Sequence, residues 1–195
     1  MTQISNAVRS IVVFTMGIAC GGQRRPDNPA PHSAPPDSSP VSVPATTKAD
    51  TNGNRWLSVD SAGRTISLDL KVTAGGKAGL INGFHNGEAR IIVPLGWTVR
   101  WNWRNEDPGT AHSLVVMVQR EKIPLEGGRA AFSNAMSRLV TEGLPPGQTD
   151  QTTFVADEAG WFWMLCGIPG HALEGEWIEL RVDPEAKTES VRKKT

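Results

Sequence analysis

The sequence contains no tyrosine, only two cysteines and no excess of charge, since 20 lysines and arginines balance 20 aspartates and glutamates. A balanced charge gives no basis for expecting nucleic acid or an acidic substrate as a partner. The two cysteines, Cys20 and Cys166, are enough for one disulfide at most, but their sequence contexts indicate two different roles. All seven tryptophans lie between Trp56 and Trp177, which marks this region as the folded part of the chain.

The hydrophobic run near the N terminus is too short to span a bilayer. It covers residues 11–19, whereas a membrane helix needs roughly 20, so residues 1–20 are predicted to be an export signal peptide. The run ends at residues 18–21 in a sequence that resembles a bacterial lipobox, although Gly17 stands where leucine is usual. We predict that Cys20 becomes the acylated N-terminus of a lipoprotein. The alternative is an ordinary signal peptide with a chance cysteine.

The next segment, residues 21–54, is rich in proline, serine and alanine and has few large apolar side chains. Such a segment cannot bury enough surface to fold, and we predict a disordered linker. Proline-rich chains extend by about 3 Å per residue, so the linker reaches several tens of Å at most. Residues 55–183 form the predicted domain, and residues 184–195 are predicted to be a flexible tail.

The predicted domain alternates apolar and polar residues with the period of two that is typical of β-strands. In residues 97–104, for example, Val99, Trp101 and Trp103 share one face. Glycine and proline mark the turns between the alternating segments. The pattern predicts an all-β sandwich with strands at residues 56–60, 65–72, 89–93, 97–104, 113–118, 152–156, 160–166 and 177–182.

The strand that leads to Cys166 carries two tryptophans. If Cys166 points inward, alternation places Trp161 and Trp163 on the outer face. Two outward tryptophans on one strand are unusual. Either the long excursion of residues 119–150 covers them, or they form an apolar patch for docking a partner.

A thiolate and an imidazole lie on one short segment near the C terminus. Cys166 and His171 are five residues apart, and Glu176 follows after another five. These are ligand types of a mononuclear copper electron-transfer site, which also needs a second histidine and often a weak axial ligand. We predict His112 as the second histidine because it follows a turn and begins a strand. His85, which lies in a Gly/Asn turn, is the alternative.

Two other interpretations of this segment are open. A buried cysteine is often a small hydrophobic residue, and a Cys–His pair can be a nucleophile and its base. The second interpretation is disfavoured because Cys166 and His171 share one tight loop and no residue that would orient the histidine is evident. We therefore predict that the protein is not an enzyme.

Over residues 56–182 the sequence resembles the sulfocyanins, a group of cupredoxins (blue-copper proteins). The resemblance implies a cupredoxin-like Greek-key β-sandwich with His112, Cys166 and His171 as equatorial copper ligands. It also implies one-electron transfer outside the cytoplasm, usually in a membrane-bound chain. The most specific matching motif is residues 166–172, and weaker ones are residues 56–58, 82–88, 99–105, 112–113 and 143–148.

The chain departs from the family pattern at Glu176, where sulfocyanins have an axial methionine. Three outcomes are open. The carboxylate binds copper, favours Cu(II) and lowers the reduction potential; or it turns to solvent and leaves a three-coordinate copper; or the site binds no copper. The last outcome requires Glu176 to be protonated, paired or exposed, because an unpaired buried carboxylate is costly. Met164 lies deeper along the strand and is not expected to replace it.

These observations predict a membrane-tethered cupredoxin on the periplasmic side of a bacterial membrane. One type 1-like copper ion would be bound by His112, Cys166, His171 and Glu176, and the partner would be a redox protein or a membrane redox complex. The resemblance and the motifs indicate neither a small-molecule substrate nor a nucleic acid partner. The alternative is a cupredoxin-fold accessory or structural subunit of a respiratory or photosynthetic redox complex, without copper.

Overall fold

The computed structural model describes residues 56–188 and 190–194. The predicted signal peptide with Cys20 and the predicted linker of residues 21–54 lie outside these residues. No helix in the described ranges is long and apolar enough to cross a membrane. The described chain forms ten strands: β1 (Leu57–Asp60), β2 (Thr65–Ala74), β3 (Gly79–Ile81), β4 (Ala89–Pro94), β5 (Thr98–Asn105), β6 (Val115–Val118), β7 (Thr149–Val155), β8 (Gly160–Leu165), β9 (Trp177–Asp183) and β10 (Ser190–Lys193).

The strands form two five-stranded sheets. One has the order β1-β2-β5-β7 with β3 also paired to β2, and the other has the order β10-β4-β9-β8-β6. The β2–β5 and β4–β9 pairs are parallel. Between β3 and β8 the chain changes sheet at every connection, so most neighbours within a sheet are distant in sequence. The β-sandwich predicted from the sequence is confirmed.

The core lies between the two sheets and follows the predicted alternation. In β5, Val99, Trp101 and Trp103 are buried, while the residues between them face outward. Phe162 of β8 reaches the same core from the opposite sheet. Phe132, which comes from the long β6–β7 connection, packs against Phe162 with a ring-centroid distance of 4.7 Å. Aromatic side chains therefore fasten this connection to the sandwich.

The two outward tryptophans of β8 are accounted for separately. Trp163 is buried in a second apolar cluster, which includes Ile123 and Val140 of the β6–β7 connection. The long excursion of residues 119–150 therefore covers this tryptophan, which was the first of the two outcomes predicted from the sequence. Trp161 is half-buried between the guanidinium groups of Arg90 and Arg181, which lie 4.4 and 4.7 Å from its ring centroid. Cation–π contacts of this kind stabilise a partly exposed tryptophan ring.

The C-terminal segment differs from the prediction. Ser190–Lys193 forms β10, which pairs with β4, so the prediction that residues 184–195 are a flexible tail is wrong for this stretch. The physical reason is Val191, which is buried opposite Ile91. An ion pair between Lys194 Nζ and Glu179 Oε1 at 2.9 Å adds to this attachment. One apolar residue among charged neighbours gave too weak a pattern to predict a strand.

Candidate metal centre

The connection between β8 and β9 brings three of the predicted ligands together. The backbone N–H of Cys166 donates to the Glu176 carbonyl at 3.0 Å, and the N–H of Glu176 donates to the His171 carbonyl at 3.1 Å. These bonds fold residues 166–176 back on themselves. Because the loop closes in this way, side chains that are five residues apart in sequence converge at one end of the sandwich.

His112 comes from the connection between β5 and β6. Its backbone exchanges two hydrogen bonds with Leu144, and the Asn105 side chain donates to the carbonyl oxygens of Thr110 and Leu144 at 2.8 and 2.9 Å. The alternative histidine, His85, lies in a turn with its Nδ1 3.0 Å from Glu88 Oε2 and is outside the cluster. The structure thus brings His112, and not His85, to the loop.

Four donor atoms, one from each of His112, Cys166, His171 and Glu176, lie within 4.8 Å of one another. Glu176 Oε2 is 2.9 Å from His112 Nδ1 and 3.2 Å from His171 Nδ1. Cys166 Sγ is 3.5 Å from His171 Nδ1. Both histidines therefore turn the same ring nitrogen into the cluster. The side chain of His171 is 17% exposed, whereas those of Glu176 and His112 are 0% and 1% exposed.

Ser113 supports the cysteine and was not predicted from the sequence. Its backbone N–H donates to Cys166 Sγ at 3.4 Å. Its hydroxyl donates to the Val140 carbonyl at 2.6 Å and accepts the N–H of Gly167 at 2.8 Å. An N–H directed at sulfur favours the thiolate, and the hydroxyl joins the two connections that carry His112 and Cys166. Its position directly after the predicted ligand His112 was the only sequence signal.

Glu176 is fully buried, which contradicts the outcome in which it turns to solvent. The backbone N–H of Gly79, in the short strand β3, donates to Glu176 Oε2 at 3.0 Å. A Cβ at position 79 would clash with Val72 Cγ1 of β2 and would also lie 3.0 Å from His112 Cε1 and 3.2 Å from Glu176 Cδ, so a glycine is needed for this approach. Glu176 Oε1 is buried without a hydrogen-bond partner among the residues that the structure describes.

The pKa values of the four side chains in the cluster show how each offsets the cost of burying the charge of its neighbours. Burial opposes protonation of His112, but hydrogen bonds to Cys166 and Glu176 outweigh it and raise the pKa of His112 to about 10. The same two partners raise the pKa of His171 to about 9. Burial opposes ionisation of Cys166 and Glu176, yet hydrogen bonds from the two histidines lower both pKa values. Without a metal, these hydrogen bonds favour the protonated form of both histidines and the ionised form of Cys166 and Glu176.

The donor set fits a copper ion. A thiolate and two imidazoles are the ligands that copper electron-transfer sites use, and a carboxylate oxygen completes the cluster. The thiolate and the carboxylate together carry two negative charges, so Cu(II) in place of the two imidazolium protons keeps the buried cluster neutral. Within residues 56–188 and 190–194, Oε1 of Glu176 is the one side-chain N or O atom of the cluster that is buried without a hydrogen-bond partner. The cluster is compatible with one type 1 copper site.

The chain is a two-sheet β-sandwich with Cys166 and His171 on the connection between β8 and β9 and with His112 on the connection between β5 and β6. These features define the cupredoxin class. Residues 52–189 match the model of the sulfocyanin (SoxE) domain, and the chain belongs to this family. The resemblance in the sequence is thereby confirmed.

Solved structures of similar fold include a rusticyanin, an auracyanin and a copper nitrite reductase. Rusticyanin from Thiobacillus ferrooxidans is 19% identical, with a TM-score of 0.42 over 69% of this chain and 88% of that one. Reduced auracyanin from Roseiflexus castenholzii is 18% identical, with a TM-score of 0.41 over 60% and 97%. Copper nitrite reductase from Nitrosomonas europaea is 23% identical, with a TM-score of 0.45 over 62% and 42%. The comparison with curated protein sequences gives no match.

Proposed function

We propose that this protein carries single electrons through one copper ion bound by His112, Cys166, His171 and Glu176. The observation that carries the proposal is the convergence of four donor atoms within 4.8 Å, three of them on fully buried side chains. Bound copper supplies a one-electron Cu(II)/Cu(I) couple. The chain supplies the ligands and their charges, and it holds them in place.

Glu176 is expected to set the preference between the two oxidation states. A carboxylate is a harder ligand than a thioether, and it adds a negative charge to that of the Cys166 thiolate. Two negative ligand charges balance Cu(II), whereas Cu(I) leaves one charge in excess in a buried site. The proposed centre therefore has a lower reduction potential than one with a neutral methionine in the same place.

The surrounding backbone holds these ligands nearly rigid. Ser113 donates its N–H to Cys166 Sγ, Gly79 donates to Glu176 Oε2, and the loop of residues 166–176 is closed by its own hydrogen bonds. Ligands fixed by such bonds and by close packing move little when the charge on the centre changes. Small movement keeps the reorganisation cost of electron transfer small.

His171 is the proposed exit for the electron because it is the one ligand with an exposed edge. Three exposed leucines lie on the segments around it: Leu173 in the metal loop, Leu125, whose carbonyl accepts the N–H of Gly170, and Leu139 next to Val140. An apolar rim around a partly exposed ligand suits a short-lived contact with a redox protein or a membrane redox complex.

The proposed location is the periplasmic side of a bacterial membrane. The export signal over residues 1–20, the lipobox-like sequence at Cys20 and the linker of residues 21–54 support a lipid-anchored domain that moves within reach of the membrane surface. Acylation of one cysteine would make the protein a lipoprotein that is tethered without a membrane-spanning segment.

The alternative proposal is an accessory subunit of a membrane redox complex that binds no copper. One observation favours it: without metal, the imidazolium groups of His112 and His171 can pair directly with Cys166 and Glu176. A copper oxidase or a nitrite reductase is disfavoured, since the chain has four histidines and two of them, His112 and His171, lie in the cluster. Too few remain for a second metal centre.

The test is the visible absorption and copper content of the purified protein after Cu(II) addition. We expect one copper per chain and a thiolate-to-copper band that disappears in Cys166→Ser. Cys20→Ser is the matched control, because it makes the same replacement outside the described domain and should leave the band unchanged. If the wild-type protein takes up no copper at micromolar metal, the carrier is refuted and the accessory subunit is favoured.

The same control variant tests the anchor. Mass spectrometry of the mature wild-type protein is expected to show an acylated N-terminal Cys20, and the Cys20→Ser protein is expected in the soluble fraction of cells. A mature wild-type protein without acyl chains would refute the lipid anchor and leave the copper centre unaffected.

A further inference from the structure

Asp107 lies on the far side of His112 from the metal cluster. Its Oδ2 is 3.2 Å from His112 Nε2, while Nδ1 of the same ring faces Glu176 Oε2. Asp107 is buried, with 8% of its surface exposed, and the sequence gave no reason to single it out. The proposed function, as argued from the four donor atoms, assigns it no role.

The hydrogen bonds around Asp107 require a carboxylate. Oδ1 accepts the backbone N–H of Gly109 at 2.8 Å, and Oδ2 faces the ring nitrogen of His112. The backbone N–H of Asp107 donates to Asn105 Oδ1 at 3.0 Å, which fixes the direction of the side chain. Both carboxylate oxygens are therefore used as acceptors. An asparagine offers one acceptor oxygen and would have to turn an N–H group toward either Gly109 or His112.

We propose that Asp107 is the positioning residue for the copper ligand His112. It accepts the Nε2–H proton, which holds the ring in the tautomer whose Nδ1 lone pair points into the cluster. A carboxylate in this place also makes the imidazole a stronger electron donor, and this favours Cu(II) over Cu(I). The inference rests on the proposed function, since it concerns the ligand that His112 provides to copper.

A purely structural role for Asp107 would be to close the turn after β5 by accepting the Gly109 N–H. Asp60 offers a matched control for that role, since its Oδ1 accepts the N–H of Gly63 at 2.9 Å in the turn after β1 and has no histidine partner. Asp107→Asn and Asp60→Asn each replace a turn-forming carboxylate by its amide. Only the first of them alters the contact with His112.

The experiment compares the two variants with wild type by copper titration, by voltammetry and by long-range ¹H–¹⁵N NMR of the histidine rings in the Cu(I) form. In wild type we expect His112 to carry its proton on Nε2. Asp107→Asn should weaken Cu(II) binding about 10- to 100-fold. If the affinity for Cu(II) falls more than the affinity for Cu(I), the reduction potential should rise by about 59 mV for each tenfold difference between the two decreases. Asp60→Asn should change neither quantity.

Several results separate this inference from the proposed function. If wild type binds copper but Asp107→Asn leaves the potential, the Cu(II) affinity and the His112 signals unchanged, Asp107 is not a positioning residue while the carrier stands. If wild type binds no copper, the carrier fails, and the metal-free protein still reports on Asp107 through slow exchange of the His112 Nε2 proton. Absence of a protected Nε2 proton in wild type overturns the inference even if the variant does not fold.

Discussion

Replacing Glu176 by methionine introduces the axial residue that the sulfocyanin resemblance implies and removes one buried negative charge. The two side chains are unbranched and of similar length, so the cluster should keep its shape. The change removes the unpartnered Oε1 but leaves the Gly79 N–H without its acceptor. The dominant expected effect is electrostatic, because Cu(II) loses the charge that balanced it.

The size of this effect follows from the distances in the cluster. All four donor atoms lie within 4.8 Å of one another, so a metal ion held among them is no further than this from the carboxylate oxygen. At 4.8 Å and an effective dielectric constant of about 20, one unit charge interacts with another by about 3.5 kcal/mol. For a one-electron couple, about 1.4 kcal/mol corresponds to about 59 mV, so the rise in potential is at least about 150 mV, because 4.8 Å is the largest distance that the cluster allows.

The assay is voltammetry of copper-loaded wild type, Glu176→Met and a control, Glu174→Met. Glu174 lies in the same loop and makes an ion pair with Lys77 at 3.6 Å, but its side chain is 46% exposed. Water and salt screen an exposed charge, so the control should shift the potential far less. A potential in Glu176→Met that equals wild type, with an unchanged absorption spectrum, would show that Glu176 neither ligates copper nor balances its charge.

Three further outcomes are expected. Because His112 and His171 are protonated in the metal-free protein below their pKa values of about 10 and about 9, copper must displace at least two protons at neutral pH. The logarithm of the affinity should rise by at least about two per pH unit up to about pH 9, and calorimetry in buffers of different ionisation enthalpy should count at least about two protons; a count near zero contradicts the protonated histidines. Gly79→Ala should destabilise the protein by about 1–3 kcal/mol in urea unfolding and shift the thiolate-to-copper band, and wild-type values for both would refute the role of β3. Leu173→Lys should slow electron self-exchange between Cu(I) and Cu(II) molecules about tenfold by NMR, whereas Val155→Lys, at the opposite end of the sandwich, should not; equal rates would exclude the leucine rim as the contact surface.

The sequence predicted the sandwich because most of its strands are half-buried in the same way. Where one face of a strand packs against the core, apolar and polar residues alternate along the sequence, as in β5 and β2. The two strands that it did not predict are β3 and β10, of three and four residues. β3 is too short to show a period, and it pairs in a local hairpin with β2, the strand before it. β10 has a single buried apolar residue, Val191, and pairs with β4, which is distant in sequence, so tertiary pairing and not local pattern makes it a strand.

The candidate site was predictable where its parts are close in sequence. Cys166, His171 and Glu176 lie on one loop, so their spacing alone indicated convergence. His112 was found from its place after a turn, although only the fold brings it to the loop. Gly79 could not be found in this way, because it contributes a backbone N–H across 97 residues of sequence. Almost every residue type has a backbone N–H, so the residue type does not show which N–H will donate to the site.

The charges of the cluster bear on the choice between a copper carrier and a scaffold without copper. Glu176 and Cys166 are fully buried, and in the metal-free protein each depends on a protonated histidine for compensation. Buried ion pairs are often less stable than apolar residues of the same volume, so a scaffold gains nothing from keeping four ionised groups in its interior. A divalent cation removes this difficulty, because it neutralises the thiolate and the carboxylate at once and leaves both imidazoles uncharged. The arrangement that is costly as a scaffold is thus the one that suits a bound copper ion, and Asp107 behind His112 adds a carboxylate that would position this imidazole as a ligand.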